Sequence, residues 1–394
     1  GLLLQRATLE VPLLVAGPGV PAGRTFRRPV ATANLARTLA RLAGVPAGDL
    51  GGEPLGFDAE PPEEPVLHET WYPASVYGWS PLVGATLDGL RLVVGPGPRW
   101  YAPEGAGETE VATGEPPERA RQLARAVRGY RETHPFAARS PEVDERTRRE
   151  LAALGYLSGA TGKAGTIDPA QGVTWVGRFA AAGEREAAGD LAGAAVILRE
   201  LVALSPQSIP FLSRAASLEA RLGRRERAEA LLRGALELQP DSEFVRLHLG
   251  QLLLEAGKVE AGEAELAAAL ERNPRFAPAW LALAEAARRR GDGALERRRL
   301  DEAIAAGTAS AFLLARRAQI ALGEGRAEAA EADAAAAIAL LPEWEIGWFL
   351  GGEAAERLGR RELARQRYAR AAESQAPLGA EARRRLAALA APPD

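Results

Sequence analysis

The chain has 394 residues, of which 49 are basic and 52 acidic, for a formal charge of −3. That length allows two or three domains, and the near balance of charge removes any general attraction to nucleic acid. No run of 18 apolar residues offers a membrane span, and the absence of cysteine excludes disulfides and thiolate zinc sites.

In chain order, the first predicted element is a strand over Val11–Ala16, with Pro12 near its start and a turn at Gly17-Pro18-Gly19. Thr32 is placed to cap a helix with an apolar face of Leu35, Leu39 and Leu42, stopped by Gly44. Strand, turn and helix in succession are the grammar of an α/β layer. Pro54–Pro65 reads as a loop, Pro65–Tyr72 as a second strand, and Leu82–Leu87 with Leu90–Gly95 as a hairpin turned by Asp88-Gly89. An amphipathic helix is predicted over Pro116–Thr133, through Leu123, Val127 and Tyr130, and another helix over Asp144–Leu154. Glycines 155, 159, 162, 165 and 172 mark a flexible linker. The first domain is therefore placed at 1–157 and the linker at 158–174.

Beyond the linker the pattern becomes periodic. Pro206, Pro240, Pro274 and Pro342 stand 34, 34 and 68 residues apart, with the skipped beat at Thr308. A period of about 34 belongs to a helix–turn–helix repeat. With each proline at position 32, six units open at Trp175, Ile209, Glu243, Ala277, Ala311 and Glu345 and run to Leu378. Position 20 is small in most units (Ala194, Ala228, Gly262, Ala330, Ala364), and position 24 is usually large (Leu198, Leu232, Leu266, Leu300, Tyr368). Small residues beside large ones let two helices approach closely. Helix pairs are expected to break at Gly223, Gly257, Gly291, Gly325 and Gly359, and 379–391 to supply the capping helix that an open array needs. The pattern closely resembles the tetratricopeptide repeat (TPR), which implies an all-α solenoid and a protein or peptide partner.

The first part carries a second resemblance. Leu9-Glu10-Val11-Pro12-Leu13-Leu14-Val15, then Gly17 to Gly23, then Leu35-Ala36-Arg37-Thr38-Leu39 are similar to the late part of bacterial sulfatases. Those enzymes belong to the alkaline-phosphatase-like superfamily. Glu69-Thr70-Trp71-Tyr72-Pro73, Tyr77-Gly78-Trp79-Ser80-Pro81-Leu82 and Leu154-Gly155-Tyr156-Leu157 resemble the members that carry C-terminal TPR repeats. Asn34 and Arg37 depart from the family, which usually has Asp and Pro there. The resemblance implies a partial α/β domain whose parent hydrolyses sulfate or phosphate esters with a divalent cation such as calcium, in the periplasm or another extracytoplasmic space. It also implies that the catalytic core lies upstream. The chain lacks Met, opens at Gly1 and holds no Cys- or Ser-x-Pro-x-Arg nucleophile motif, so it is expected to be a fragment beginning just behind that core. Taken alone it is expected to be inactive, without a cofactor of its own. A pseudoenzyme scaffold with only a protein-binding role is the alternative.

Two residues in the first part are candidates for the substrate side. His68 ends a predicted strand, where α/β enzymes place ligand contacts, although an ordinary strand-end residue is the plainer reading. Arg91 follows the hairpin turn, where it is either an oxyanion contact or a solvated strand charge, the second being favoured. His134 is read as meeting the last carbonyls of a helix. In the repeats, positions 2, 5, 9, 12 and 13 of each first helix would face a partner. They offer Phe244, Leu247, Leu281, Phe312 and Phe349 as apolar contacts, with Arg221, Gln251, Glu285, Arg288, Arg289, Gln319 and Glu353 as polar ones. No Lys/Asn clamp for a chaperone tail is present, and the run from Arg288 to Arg290 is either an acidic-peptide contact or a solvated charge run.

Overall fold

The computed structural model describes residues 3–5, 9, 13–18, 20–50, 52–104, 107–111, 118–134, 165–308 and 310–390. An antiparallel sheet region near the N-terminus is followed by a long series of helices forming a TPR-like solenoid. The chain divides into two compact units, Gly1–Arg224 with Glu237–Pro240 and Arg225–Leu236 with Asp241–Asp394.

In the first unit, five strands pair in sequence order: β1 Val66–Thr70, β2 Leu82–Leu87, β3 Leu90–Val94, β4 Pro98–Glu104 and β5 Gly107–Glu110. The β2–β3 turn takes positive φ at both central residues, 45° at Asp88 and 79° at Gly89, which suits the right-handed twist of a hairpin. The register sets Ala85 opposite Leu92 and Val83 opposite Val94, so one face of the sheet is apolar. Among the described elements ahead of the repeats are the helices α1 Ala33–Ala43, α2 Tyr72–Tyr77 and α3 Glu118–Thr133. Leu123 and Val127 of α3 close over Ala85, Leu87 and Leu92 to make the core.

Several expectations are corrected here. Leu13–Ala16 is irregular, with Leu14 94% exposed. An apolar run becomes a strand only where another strand accepts its hydrogen bonds, and among the described residues none pairs with it. Helix α1 forms and ends at Gly44, with φ 66°, but the Thr32 side chain makes no cap bond. The buried residues of α1 are Thr38 and Ala40, not Leu39: Thr38 Oγ1 donates to Asn34 O and accepts from Leu55 N, while Leu39 stays exposed. Strands β4 and β5 and helix α2 were not anticipated, since Pro98 and Pro103 break the strand pattern. The helix expected over Asp144–Leu154 lies outside the described residues.

The repeat helices of this unit are α4 Pro169–Ala187, α5 Leu191–Leu204 and α6 Ile209–Arg221. Helix α4 begins inside the expected linker and ahead of the unit start at Trp175. Asp168 is the reason: its carboxylate accepts from Ala170 N as an N-cap, Pro169 follows at the first helical position, and Arg99 of β4 pairs with the same carboxylate. Beside this joint Trp79 is fully buried. Its Nε1 donates to Ser205 Oγ at 3.0 Å, its ring stacks on Tyr77 at 4.4 Å and it meets the ring of Trp175 edge-on at 5.9 Å. A Cβ at Gly172 would stand 2.3 Å from the indole, so only glycine lets α4 lie this close. Ser80 N donates to Ile167 O at 2.8 Å alongside.

The helix over Arg225–Leu238, α7, is followed by four pairs whose first helices are α8 Glu243–Glu255, α10 Ala277–Arg289, α12 Ala311–Gly323 and α14 Glu345–Arg357. Their second helices are α9 Val259–Arg272, α11 Gly293–Ala305, α13 Ala327–Leu340 and α15 Arg361–Ala371. Each pair is broken by a left-handed glycine, Gly257, Gly291, Gly325 or Gly359, with φ between 69° and 76°. Close packing is direct at positions 8 and 20: a Cβ on Gly250 would meet Gly262 O at 3.0 Å and Leu266 Cγ at 2.8 Å. The position-4 indoles hold the proline turns, Trp280 donating to Pro274 O at 2.8 Å and Trp348 to Pro342 O at 2.7 Å. Thr308, at the beat without proline, is buried and donates to Pro274 O. Helix α16 Pro377–Ala390 lays Ala382, Leu386 and Leu389 against Phe349 and Tyr368.

Replacing Trp79 by Ala removes the largest buried side chain of the joint and leaves Ser205 without its donor. The expected cost is about 3–5 kcal/mol of stability in the first unit. Denaturant unfolding followed by amide exchange in α4 and α5 measures it, and unchanged protection there contradicts the packing role.

Candidate functional site

Alternate residues of the sheet point away from α3, and this second face is mixed, with Leu82 and Val93 packed against Leu4 beside a group of polar residues. The register carries Thr86 opposite both Val66 and Arg91, and Arg91 opposite Tyr101. His68 and Arg91 therefore share one face, on β1 and β3. His68 Nε2 lies 3.2 Å from Thr86 Oγ1, and its Nδ1 has no partner. Burial, with the nearby positive charge of Arg91 second, holds its pKa at about 4. The imidazole is neutral at pH 7.

Arg91 is not a solvated strand charge. It is 3% exposed, paired with Glu108 of β5, and its guanidinium lies 5.0 Å from the centre of the Tyr101 ring. The strands that supply Tyr101 and Glu108 were not visible in the sequence pattern, so its burial was not either. Arg91, Arg99, Tyr101, Glu108 and Asp168 line a cavity of about 150 Å³. Both arginines already hold a carboxylate, so the cavity is balanced in charge. Among the described residues no three His, Asp or Glu side chains stand together as a metal site. His134 stacks on Tyr130 at 4.3 Å, and its Nδ1 lies 3.2 Å from Tyr130 O at the helix end.

The second candidate surface lies on the repeat helices of the second unit. Phe244 and Phe312, both at position 2 and 68 residues apart, are 58% and 53% exposed. Each leans on an aromatic at the last position of its own unit, Phe276 at 5.0 Å and Trp344 at 4.7 Å. Those two partners were missed, although a signal existed: position 2 is aromatic only in the units where position 34 is aromatic as well. Gln251 and Gln319 are exposed and Leu281 is half-buried. Leu247 and Phe349 are corrected, because both are buried in the helix–helix core and present nothing to a partner. Arg221 lies in the first unit and pairs with Glu186.

The arginine run is tied down from within. Glu285 holds Arg288 at 2.6 Å and Arg289 at 2.9 Å, and Arg290 reaches Glu263 at 3.2 Å. These hydrogen bonds, that of Arg288 first, pull the Glu285 carboxyl down to about 2, so it stays anionic and offsets part of the cationic charge.

A tetratricopeptide repeat family model matches residues 186–248 and 221–287. Residues 186–287 thus carry tetratricopeptide repeats. Among solved structures, the C-terminal part of a TPR repeat-containing protein from Cytophaga hutchinsonii is 18% identical, over 54% of this chain and 84% of that one, with a TM-score of 0.41. A tetratricopeptide repeat protein from Parabacteroides merdae is 18% identical over 62% of this chain and 97% of its own, with a TM-score of 0.39. A thermophilic TPR protein from Thermus thermophilus is 26% identical over 45% of this chain and 97% of its own, with a TM-score of 0.32. No curated protein matches the chain.

His68 gives the first unit a pH dependence. Its folded pKa of about 4 lies below the 6.5 of an unperturbed imidazole, so the unfolded chain binds the extra proton between those values. The contribution is whole above pH 6.5 and is lost as pH falls towards 4, by up to about 3 kcal/mol. Unfolding curves of the parent chain and of His68→Gln over pH 4–7 should differ in slope only within that window.

Proposed function

We propose that the chain is a protein-interaction scaffold whose TPR helices hold an extended peptide segment, with Phe244, Phe312 and Leu281 as apolar contacts and Gln251 and Gln319 as hydrogen-bonding ones. The observation that carries this reading is the pair of half-exposed phenylalanines at one repeat position, each braced by a neighbouring ring. Bracing lowers the entropy lost when a side chain becomes a contact, and aromatic anchors of this kind dominate binding energy. The arginines 288 and 289 serve as charge contacts only to the extent that a partner carboxylate displaces Glu285. Peptides selected from a display library on the intact protein should lose about tenfold or more in affinity with Phe244→Ala and Phe312→Ala combined. Arg288→Glu with Arg289→Glu should matter less. Full retention of binding in the phenylalanine variant removes this surface from consideration.

We further infer that residues 1–157 are the C-terminal part of a sulfatase-like hydrolase, a reading supported by the residues that resemble that family. On this reading the parent hydrolyses sulfate or phosphate esters with a divalent cation held by residues outside this chain. The purified chain should then show no aryl sulfatase or phosphatase turnover above background. Metal-dependent turnover that survives repurification overturns the assignment of the chemistry to residues upstream.

A further inference from the structure

Helix α3 is too narrow for the sheet it covers. A helix with its side chains is about 10–12 Å across, whereas five strands about 4.8 Å apart span roughly 19 Å. It packs over β2 and β3, and the apolar face of β4 extends beyond its flank. What remains is an open groove of about 550 Å³, within the size range of small-molecule sites. Its floor is apolar: Leu92 and Val94 of β3, Trp100 of β4 and Val127 of α3. Trp100 is only half-buried there.

The mouth of this groove is cationic. Arg128 and Arg131 sit three residues apart on α3, line the groove and are exposed. Neither makes a hydrogen bond or ion pair among the described residues. The other arginines of the helix behave differently, Arg119 pairing with Asp88 at 2.6 Å, and Arg121 and Arg125 with Glu118 at 2.9 and 3.0 Å. Among the described residues Glu132 is the single carboxylate lining the mouth, so two guanidinium groups face one negative charge. An apolar floor beneath two guanidinium groups that have no partner among the described residues matches a ligand with an apolar body and an anionic end.

We propose that this groove binds a small amphiphilic carboxylate, its aliphatic or aromatic body lying on Trp100 and Val127 and its carboxylate bridged by Arg128 and Arg131. The site is separate from the repeat surface, and the fate of the two readings is independent. Decanoate, kept below its micellar concentration, is the probe, titrated calorimetrically into the intact protein. Saturable binding at one equivalent is expected, with octanoate roughly tenfold weaker because two methylenes are lost from the floor. Arg128→Gln with Arg131→Gln should weaken decanoate at least tenfold while leaving the melting temperature unchanged, since neither side chain holds the fold. Decanol should bind the parent and the double variant alike and weakly. Trp100→Phe should abolish the fluorescence change that decanoate produces, which places the ligand on that ring. No saturation, equal affinity in the double variant, or decanol matching decanoate overturns the proposal. So does a peptide with a free aliphatic C-terminus that displaces decanoate at far lower concentration, which would make the groove a peptide site.

Discussion

A 34-residue helix pair buries too little apolar surface to stand alone, and every pair must find another element for its exposed stripe. In the second unit that element is the next pair. Gly250 against Gly262, and Gly352 against Tyr368, bring helix backbones together until the neighbouring side chains interlock. The close approach also sets the period. The indoles of Trp280 and Trp348 reach the proline carbonyls six residues earlier only because the turn and the helix start keep one geometry.

In the first unit the same requirement is met by another part of the chain. The helices α4, α5 and α6 receive Trp79 and Tyr77, with Tyr77 reaching Phe211 at 5.7 Å. Hydrogen bonding follows the packing: a buried indole N–H must be satisfied, and Ser205 supplies the acceptor. Asp168 adds a charged tie to Arg99 at the start of α4. The sheet is therefore one body with the first repeat helices, and the stretch that reads as linker composition turns into helix where Trp79 meets it at Gly172.

Charge is handled locally throughout. Arg317 illustrates this: it holds Asp333 with two hydrogen bonds at 2.7 and 2.8 Å and Asp301 with a third at 2.9 Å, and these bonds raise its already high pKa further. Pairs of this sort fix which helix faces meet. Arg128 and Arg131 make no side-chain hydrogen bond or ion pair among the described residues, whereas Arg288 and Arg289, conspicuous in the sequence, are already engaged by Glu285.

What the sequence determined by itself is the local, repeated part. The proline phase placed the helix starts at Ile209, Glu243, Ala277, Ala311 and Glu345, and the glycine phase placed the breaks, because both are set by backbone preferences acting within one turn. The Asp88-Gly89 hairpin was legible on the same grounds. What the tertiary structure decided depends on residues far apart in the chain. Arg91 is buried by Glu108 and Tyr101, which come from strands with weak patterns of their own, Leu13–Ala16 is irregular with no strand pairing to it among the described residues, and Phe244 stays exposed while Leu247, one turn away, is buried. A strand's existence and a side chain's burial are properties of its partners, and no local pattern contains them.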